Sequence, residues 1–325
     1  MSVIHPEAEL RGLGAASRGP RLRGLRAGKD DVLDVGSGNG SGARSAAPRS
    51  LGSILVESGA MSAADVNRVL EVQRESGMRF GEIAVGLQLL THEQLEAALA
   101  EQYRYPYLTP GHSGVSPMVV MAWQPFGRQA EALRALRTQL AMQWLHRDEG
   151  TRSLAVTSLD AGDGRSWIAA NLAVAFSQLG ERTLLIDADL RRPVQHSLFD
   201  VDSGVGLSGL LLGKSGAGAI QPVRALPNLS LLPAGAVPPN PQELLTSRAF
   251  GRLLDELALS HDAIVLDTPP AGEFADAQVI ASSTSATLVV MRQHRSELRR
   301  LEELKQQLER AGGQIVGGVL AEGMR

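Results

Sequence analysis

Two periodicities divide this chain. Beyond residue 129, short apolar runs at Leu154–Thr157, Leu184–Asp187, Leu229–Leu232, Ile264–Asp267, Thr287–Met291 and Ile315–Leu320 alternate with stretches whose apolar residues recur every three or four positions. Short continuous apolar runs suit strands buried on both faces, and the longer period is that of helices. The alternation predicts an α/β fold, a mostly parallel sheet with helices on both faces. One helix is expected over 166–179, turning Ile168, Leu172, Ala175, Phe176 and Leu179 inward and stopping at Gly180. Another begins near Gln129, with Leu133, Leu136, Leu140 and Trp144 as its apolar stripe.

Residues 49–108 follow a different rule. Gly52 and Gly81, Val66 and Leu95, Leu70 and Leu99, and Gln73 and Gln102 are each 29 residues apart, so one unit occurs twice. Each copy has an apolar stretch (Ile54–Val56, Ile83–Val85), then Ser62 or Thr91 suited to cap a helix, then apolar residues four apart. This predicts a small α-helical domain. Residues 1–48 are rich in Gly, Ser, Ala and Arg with little apolar periodicity and are expected to be disordered. Residues 109–128, with their Pro and Gly, are expected to be a linker, leaving 129–325 for the α/β domain. Within the first segment, Val32–Gly40 (VLDVGSGNG) is similar to the glycine-rich loop of S-adenosylmethionine-dependent methyltransferases. The following SGARSAAPRS favours no helix, so the string reads as a coincidence in a linker.

The chain has 325 residues, room for one full α/β domain and a small second one. A net charge of −3 argues against a basic field for nucleic acid, and 4% aromatic residues leave few base-stacking platforms. With no cysteine there is no disulfide, thiol nucleophile or thiolate metal site. No apolar run approaches the ~18 residues of a membrane span, so a cytoplasmic address is expected, peripheral to a membrane only through a partner.

Three strand ends carry the candidate chemistry. TSLDAGDGRSW ends in Gly162, Asp163, Gly164, Arg165, Ser166 and Trp167, a turn whose glycines let backbone N–H groups converge on phosphate before a helix N-terminus. The strict phosphate-loop pattern fails twice, at Leu159 for the first glycine and Arg165 for the lysine. LLIDADLRRP ends a buried strand in Asp187 and Asp189, and IVLDTPP ends another in Asp267, an acid placed to hold Mg²⁺ directly or through water. Each alone has a bland reading as a cap or turn. Together they describe a magnesium-nucleotide site.

With these motifs, the stretches ANLAVAFSQLGERTLLIDADLRRP, PAGAVPPNPQELLTSRAF and DTPPAGEFADAQVI make the C-terminal 200 residues resemble a bacterial tyrosine kinase of exopolysaccharide systems, of the EpsG chain-length determinant type. The resemblance implies a P-loop NTPase-like fold, ATP and Mg²⁺, and transfer of phosphate to a protein tyrosine. It implies nucleotide contacts from Gly162 through Trp167, metal held by Ser166, Asp267 and Asp187, and Asp187 as general base. Asp189 would support that geometry, and Arg165 would stand in for the lysine with altered or slower transfer. Glu131, Arg134 and Arg137 repeat an ExxRxxR spacing that such kinases place at the subunit interface of a ring, so a homo-oligomer is implied. A membrane chain-length determinant protein is the implied activator. Two departures stand out: GGVLAEGMR ends the chain without a tyrosine, and Ala321 stands where relatives often show asparagine. The three tyrosines are Tyr103, Tyr105 and Tyr107, where edge packing of the helical domain is the plainer role.

The helical domain resembles the N-terminal domain of type II secretion and pilus ATPases, down to its closing QYRYPYL. Some of that group bind cyclic di-GMP through paired Arg-Leu-Gly motifs. The second copy keeps Arg79-Phe80-Gly81, while the first has Ser50-Leu51-Gly52 with arginine displaced to Arg49, so cyclic di-GMP stays open beside a protein-docking role. Two rivals to the kinase remain at this stage. One is a MinD/ParA-type ATPase switch with the same acids and no transfer to protein; the other is a nucleotide- or cyclic di-GMP-responsive scaffold.

Overall fold

The computed structural model describes residues 2–4, 49–102, 107–108, 114–145, 152–214, 216 and 218–322. The VLDVGSGNG string, Tyr103 and Tyr105 lie outside the described residues. Strand β1 (Ser2–Ile4) precedes helices α1 (Leu51–Glu57), α2 (Ala63–Ser76), α3 (Phe80–Gly86), α4 (His92–Gln102), α5 (Val120–Trp123) and α6 (Arg128–Leu140). Then come β2 (Ser153–Ser158), α7 (Arg165–Ser177), β3 (Thr183–Asp187), α8 (Gln195–Leu198), α9 (Gly206–Leu211), β4 (Gln221–Pro222) and β5 (Leu229–Leu232). The chain continues through α10 (Pro241–Thr246), α11 (Arg248–Ala258), β6 (Ala263–Asp267), α12 (Asp276–Ser283), β7 (Ala286–Arg292), α13 (Leu298–Arg310) and β8 (Ile315–Ala321).

All six expected strands form, in one sheet of order β1-β8-β7-β2-β6-β3-β5-β4. The interior pairs from β8 to β5 are parallel; β1 on β8 and β4 on β5 are antiparallel edges. Within the segment 1–48 only residues 2–4 are described: they form strand β1, in which Val3 pairs with Val319 along the free edge of β8. Side-chain alternation splits each strand between two cores. Leu154, Val156, Leu185 and Val265 face α6 and α7, whereas Ala155, Leu184, Ile186, Ile264 and Leu266 face the layer of Leu207, Leu245, Phe250 and Ile280.

Helix α7 is buried on every side from Ile168 to Ser177, because neighbours cover both its flanks. It ends earlier than expected, and Leu179 is exposed rather than inward because it lies past the last helical turn. The stretch read as a linker is partly core: Val115, Val119, Met121 and Ala122 pack with α6 and α7. The Asn171 side chain ties it down, its Oδ1 accepting from the Met121 N–H at 3.0 Å.

The repeat folds as two helix pairs that interlock, α1 against α4 and α2 against α3. Ser62 caps α2 through the Asp65 N–H at 3.1 Å, and Thr91 does the same for Gln94 at 3.1 Å. Val69, rather than Leu70, is the buried residue of α2; Leu70 stays exposed because the helix presents the neighbouring position to the core.

Candidate active site

Strand β2 ends against the loop that carries the first motif. Gly162 and Gly164 have φ of +81° and +97°, the left-handed region that favours glycine. Gly164 is the residue from which α7 starts, so the positive end of that helix opens onto the loop. Surrounding side chains hold the loop in shape. Arg300 grips Asp160 at 3.0 and 2.9 Å, Ala161 N–H reaches Glu273 at 3.3 Å, and Asp163 Oδ2 accepts from the Asp160 N–H at 3.0 Å. Asp163 is thus turned into the loop, where burial raises its pKa and its Oδ1 is buried without a hydrogen-bond partner. Ser166 and Trp167 are half-buried on the first turn of α7.

The two acidic strand ends meet. Strands β3 and β6 pair in a register that sets Asp187 opposite Asp267, both fully buried. Asp187 Oδ2 accepts from the backbone N–H groups of Val194 and Gln195, each at 2.9 Å. Asp267 Oδ2 accepts from Gln195 Nε2 at 2.8 Å, and that amide also reaches the Ser166 carbonyl at 3.0 Å. The other oxygen of each acid, Oδ1, is buried with no hydrogen-bond partner. Burial lifts the Asp187 pKa well above the ordinary range, and the neighbouring Asp267 charge adds to it. Burial pushes Asp267 up to about 6, against the pull of Arg165, Gln195 and the nearby Ser166 hydroxyl.

Arg165 and Asp189 behave differently. The Arg165 side chain is buried, with Nη2 on Asp189 Oδ2 at 2.7 Å and Nε on the Thr268 carbonyl. Asp189 Oδ1 takes the backbone N–H groups of Arg191 and Arg192 at 3.1 and 2.9 Å. Asp189 therefore has no spare oxygen for a metal in this arrangement; it clamps Arg165 and shapes the turn after β3. That turn is fastened further by Arg191, whose Nε and Nη2 lie 2.6 and 3.1 Å from the buried Asp276 and whose guanidinium covers Phe274.

Of the sequence-derived residues, the structure brings Gly162, Asp163, Gly164, Arg165, Ser166, Asp187, Asp189 and Asp267 to one edge of the sheet. Trp167 faces a cavity of about 280 Å³ beside Gly164, shared with Arg128, Gln129 and Ala321. Glu131, Arg134 and Arg137 lie apart on α6. Arg134 pairs with Glu131 at 2.6 Å and with the Pro125 carbonyl, while Arg137 donates to the Ala175 carbonyl at 3.2 Å. Arg79 is exposed at the start of α3, and Gly81 lies beneath Leu95, where a Cβ would come within 2.7 Å. Gln195, which links both acids and Ser166, was missed: it follows RRPV in no motif, and its role comes only from where α8 starts. Asp160, Arg300 and Asp276 were missed for the same reason.

Comparison with known proteins decides among the readings. Residues 151–312 match the family model described as cellulose biosynthesis protein BcsQ. Over 209 residues the chain is 35% identical to the putative tyrosine-protein kinase CapB of Staphylococcus aureus, covering 64% of this chain and 90% of that protein. The chain belongs to the bacterial protein-tyrosine kinase family. Among solved structures, the kinase domain of the Escherichia coli tyrosine kinase ETK superposes with a TM-score of 0.61 and 31% identity, over 68% of this chain and 85% of that one. The chimerical protein CapA2B2 gives 0.59 and 33%, over 70% and 99%. The kinase family therefore stands where the residues alone left a MinD/ParA-type switch open. Among the described residues of this kinase no helix is long and apolar enough to cross a membrane.

Proposed function

We propose that this kinase binds ATP with Mg²⁺ at the ends of β2, β3 and β6 and transfers the terminal phosphoryl group to a protein tyrosine in exopolysaccharide production. The observation that carries the reading is the pair of unpartnered carboxylate oxygens, Oδ1 of Asp187 and of Asp267, on residues paired across neighbouring strands beside a pre-shaped glycine loop. A buried acid pair left incomplete is costly unless a cation completes it. Mg²⁺ suits one or two carboxylates together with substrate phosphates better than a cage of protein ligands. Among the described residues no cluster of three or more His, Cys, Asp or Glu offers such a cage.

The roles follow from the surroundings. The amides of 162–166 cradle phosphates, with Trp167 flanking the nucleotide. Ser166, Asp267 and Asp187 would hold the ion, which when bound neutralises charge on the outer phosphates. Asp187 accepts the tyrosine proton as the new bond forms, so full deprotonation of the phenol beforehand is unnecessary. Asp189 positions Arg165, whose fork reaches phosphate only after leaving the Thr268 carbonyl, so transfer is slowed relative to a loop lysine.

The acceptor is a tyrosine on a partner or one of Tyr103, Tyr105 and Tyr107. Tyr107 is half-buried, and burial together with Glu96 and Glu101 raises its pKa, which favours packing over modification there. Resemblance to exopolysaccharide kinases supports a membrane chain-length determinant protein as activator, a cytoplasmic address and a homo-oligomer using Glu131, Arg134 and Arg137. In the helical domain the exposed Arg79 is the one feature that favours cyclic di-GMP. Gly81 has a packing role already, so a docking module is the simpler reading.

The test is incubation of the full chain with labelled ATP and Mg²⁺, followed by a mass-spectrometric search for phosphotyrosine on it and on co-purifying proteins. Label on tyrosine supports the reading. Release of free phosphate alone refutes transfer to protein. Titration with cyclic di-GMP settles the ligand of the helical domain.

A further inference from the structure

The basic side chains around the loop mouth fall into two classes. Arg165, Arg191, Arg192 and Arg300 each sit on a carboxylate, at 2.7 Å (Asp189), 2.6 Å (Asp276), 2.8 Å (Glu273) and 2.9 Å (Asp160). Among the described residues, Arg292 and Arg295 have no carboxylate within ion-pair distance, yet both lean over the loop. Arg292 Nη1 donates to the Gly162 carbonyl at 3.3 Å. Arg295 Nη1 lies 3.3 Å from where a Cβ on Gly162 would stand.

Local structure explains how they get there. Strand β7 runs beside β2, with Val290 opposite Ser158, so its end stands next to the loop that β2 feeds. A closed turn then brings the chain back: Arg295 N–H and Ser296 N–H both donate to the Arg292 carbonyl, at 3.2 and 3.0 Å, and His294 takes a φ of +62°. Ser296 Oγ returns the link by accepting from the Arg292 N–H at 3.0 Å. The turn holds two guanidinium groups on the flank of the loop opposite the acid pair of β3 and β6.

We propose that Arg295, assisted by Arg292, contacts the outermost phosphate of the bound nucleotide, supplying in cis the charge that Arg165 is held back from by Asp189 and Thr268. The inference rests on the nucleotide reading given above. Inner phosphates belong at the α7 N-terminus, over residues 164–166; the outermost one then lies towards Gly162, between the acid-held cation on one side and these arginines on the other. A guanidinium fork with no carboxylate to leave is well suited to that oxygen pair. The absence of a side chain at Gly162 leaves the approach open.

The experiment is calorimetric titration of the full-length wild-type, Arg295→Ala and Arg295→Lys chains with Mg-ADP and with a slowly hydrolysed ATP analogue. In Arg295→Ala the analogue should bind about tenfold more weakly and ADP within about twofold of wild type; lysine should recover most of the loss. Equal affinities, or equal losses for both nucleotides, overturn the inference. Should Arg295→Ala fail to fold, Arg295→Gln gives the same comparison. If the wild-type chain binds neither nucleotide, the nucleotide reading itself falls.

Discussion

Strands β3 and β6 carry opposite arrangements at their two ends. Where they begin, Arg182 grips Asp262 with Nε and Nη2 at 2.9 and 2.7 Å and adds its backbone N–H at 2.9 Å. The hydrogen bond from Arg182 holds the Asp262 pKa down to about 2. Where they end, two carboxylates stand side by side in the dry interior with raised pKa values. Backbone, spacing and register are shared, so the difference lies in the side chains alone. One end is built for stability at the surface; the other opposes folding, as an acid pair does when it is kept for the cation and phosphates proposed above.

The strongest way to break that contrast is Asp267→Asn. Phosphotyrosine formation should fall by about 10³-fold or more, while the free protein melts about 5 °C higher because a buried charge is gone. A variant losing both activity and stability would place Asp267 in the structural class instead. Next comes Asp189→Ala, which leaves Arg165 buried and unpaired. Denaturant unfolding should show a loss of about 3 kcal/mol, the cost of leaving the buried Arg165 charge without its carboxylate.

The pH dependence of stability sharpens the comparison, since the two ends have opposite signs. For Asp267 the folded pKa, about 6, exceeds its unfolded value near 4, so the native state binds more protons between them. Stability of the free protein therefore falls as pH rises from about 4 to 6, by up to about 3 kcal/mol from this group. Thermal melts should show the slope flatten in Asp267→Asn and with Mg-ATP present. Asp262 works the other way: its contribution is intact above pH ~4 and fades towards pH ~2. The smallest effect is Asp262→Asn, which should cost under about 1 kcal/mol and leave phosphotransfer unchanged, because Arg182 is more than half exposed and water screens the pair.

The glycines show why reading a site from sequence is uneven. Gly162 and Gly164 mark the loop read as phosphate-binding, and their positive φ values give it a turn that favours glycine. Gly52 and Gly81 looked equally marked within the repeat, yet a Cβ on either would collide with Val66 or Leu95, the equivalent side chains of the two copies. The 29-residue repeat thus recorded a packing contact. Helix α6 and the π-helical turn Ala141–Leu145 that follows it were legible from the stripe Leu133 to Trp144, because that stripe faces a single core. Helix α7, covered all round, has no stripe to follow, and its end was misplaced for that reason.

By itself, the sequence determined the strands and the acids at their tips, because a strand buried on both faces must be continuously apolar and shows its first acid where it reaches the edge of the sheet. It also determined the glycines of the loop and the repeat of the helical domain. Only the tertiary structure decided who pairs with whom: Arg165 with Asp189 and not with phosphate, Gln195 across two acids, Arg295 over Gly162. Those pairings depend on β2 lying between β6 and β7, strands more than 100 residues further along the chain. Local propensity has no reach over such separations; strand order and register do.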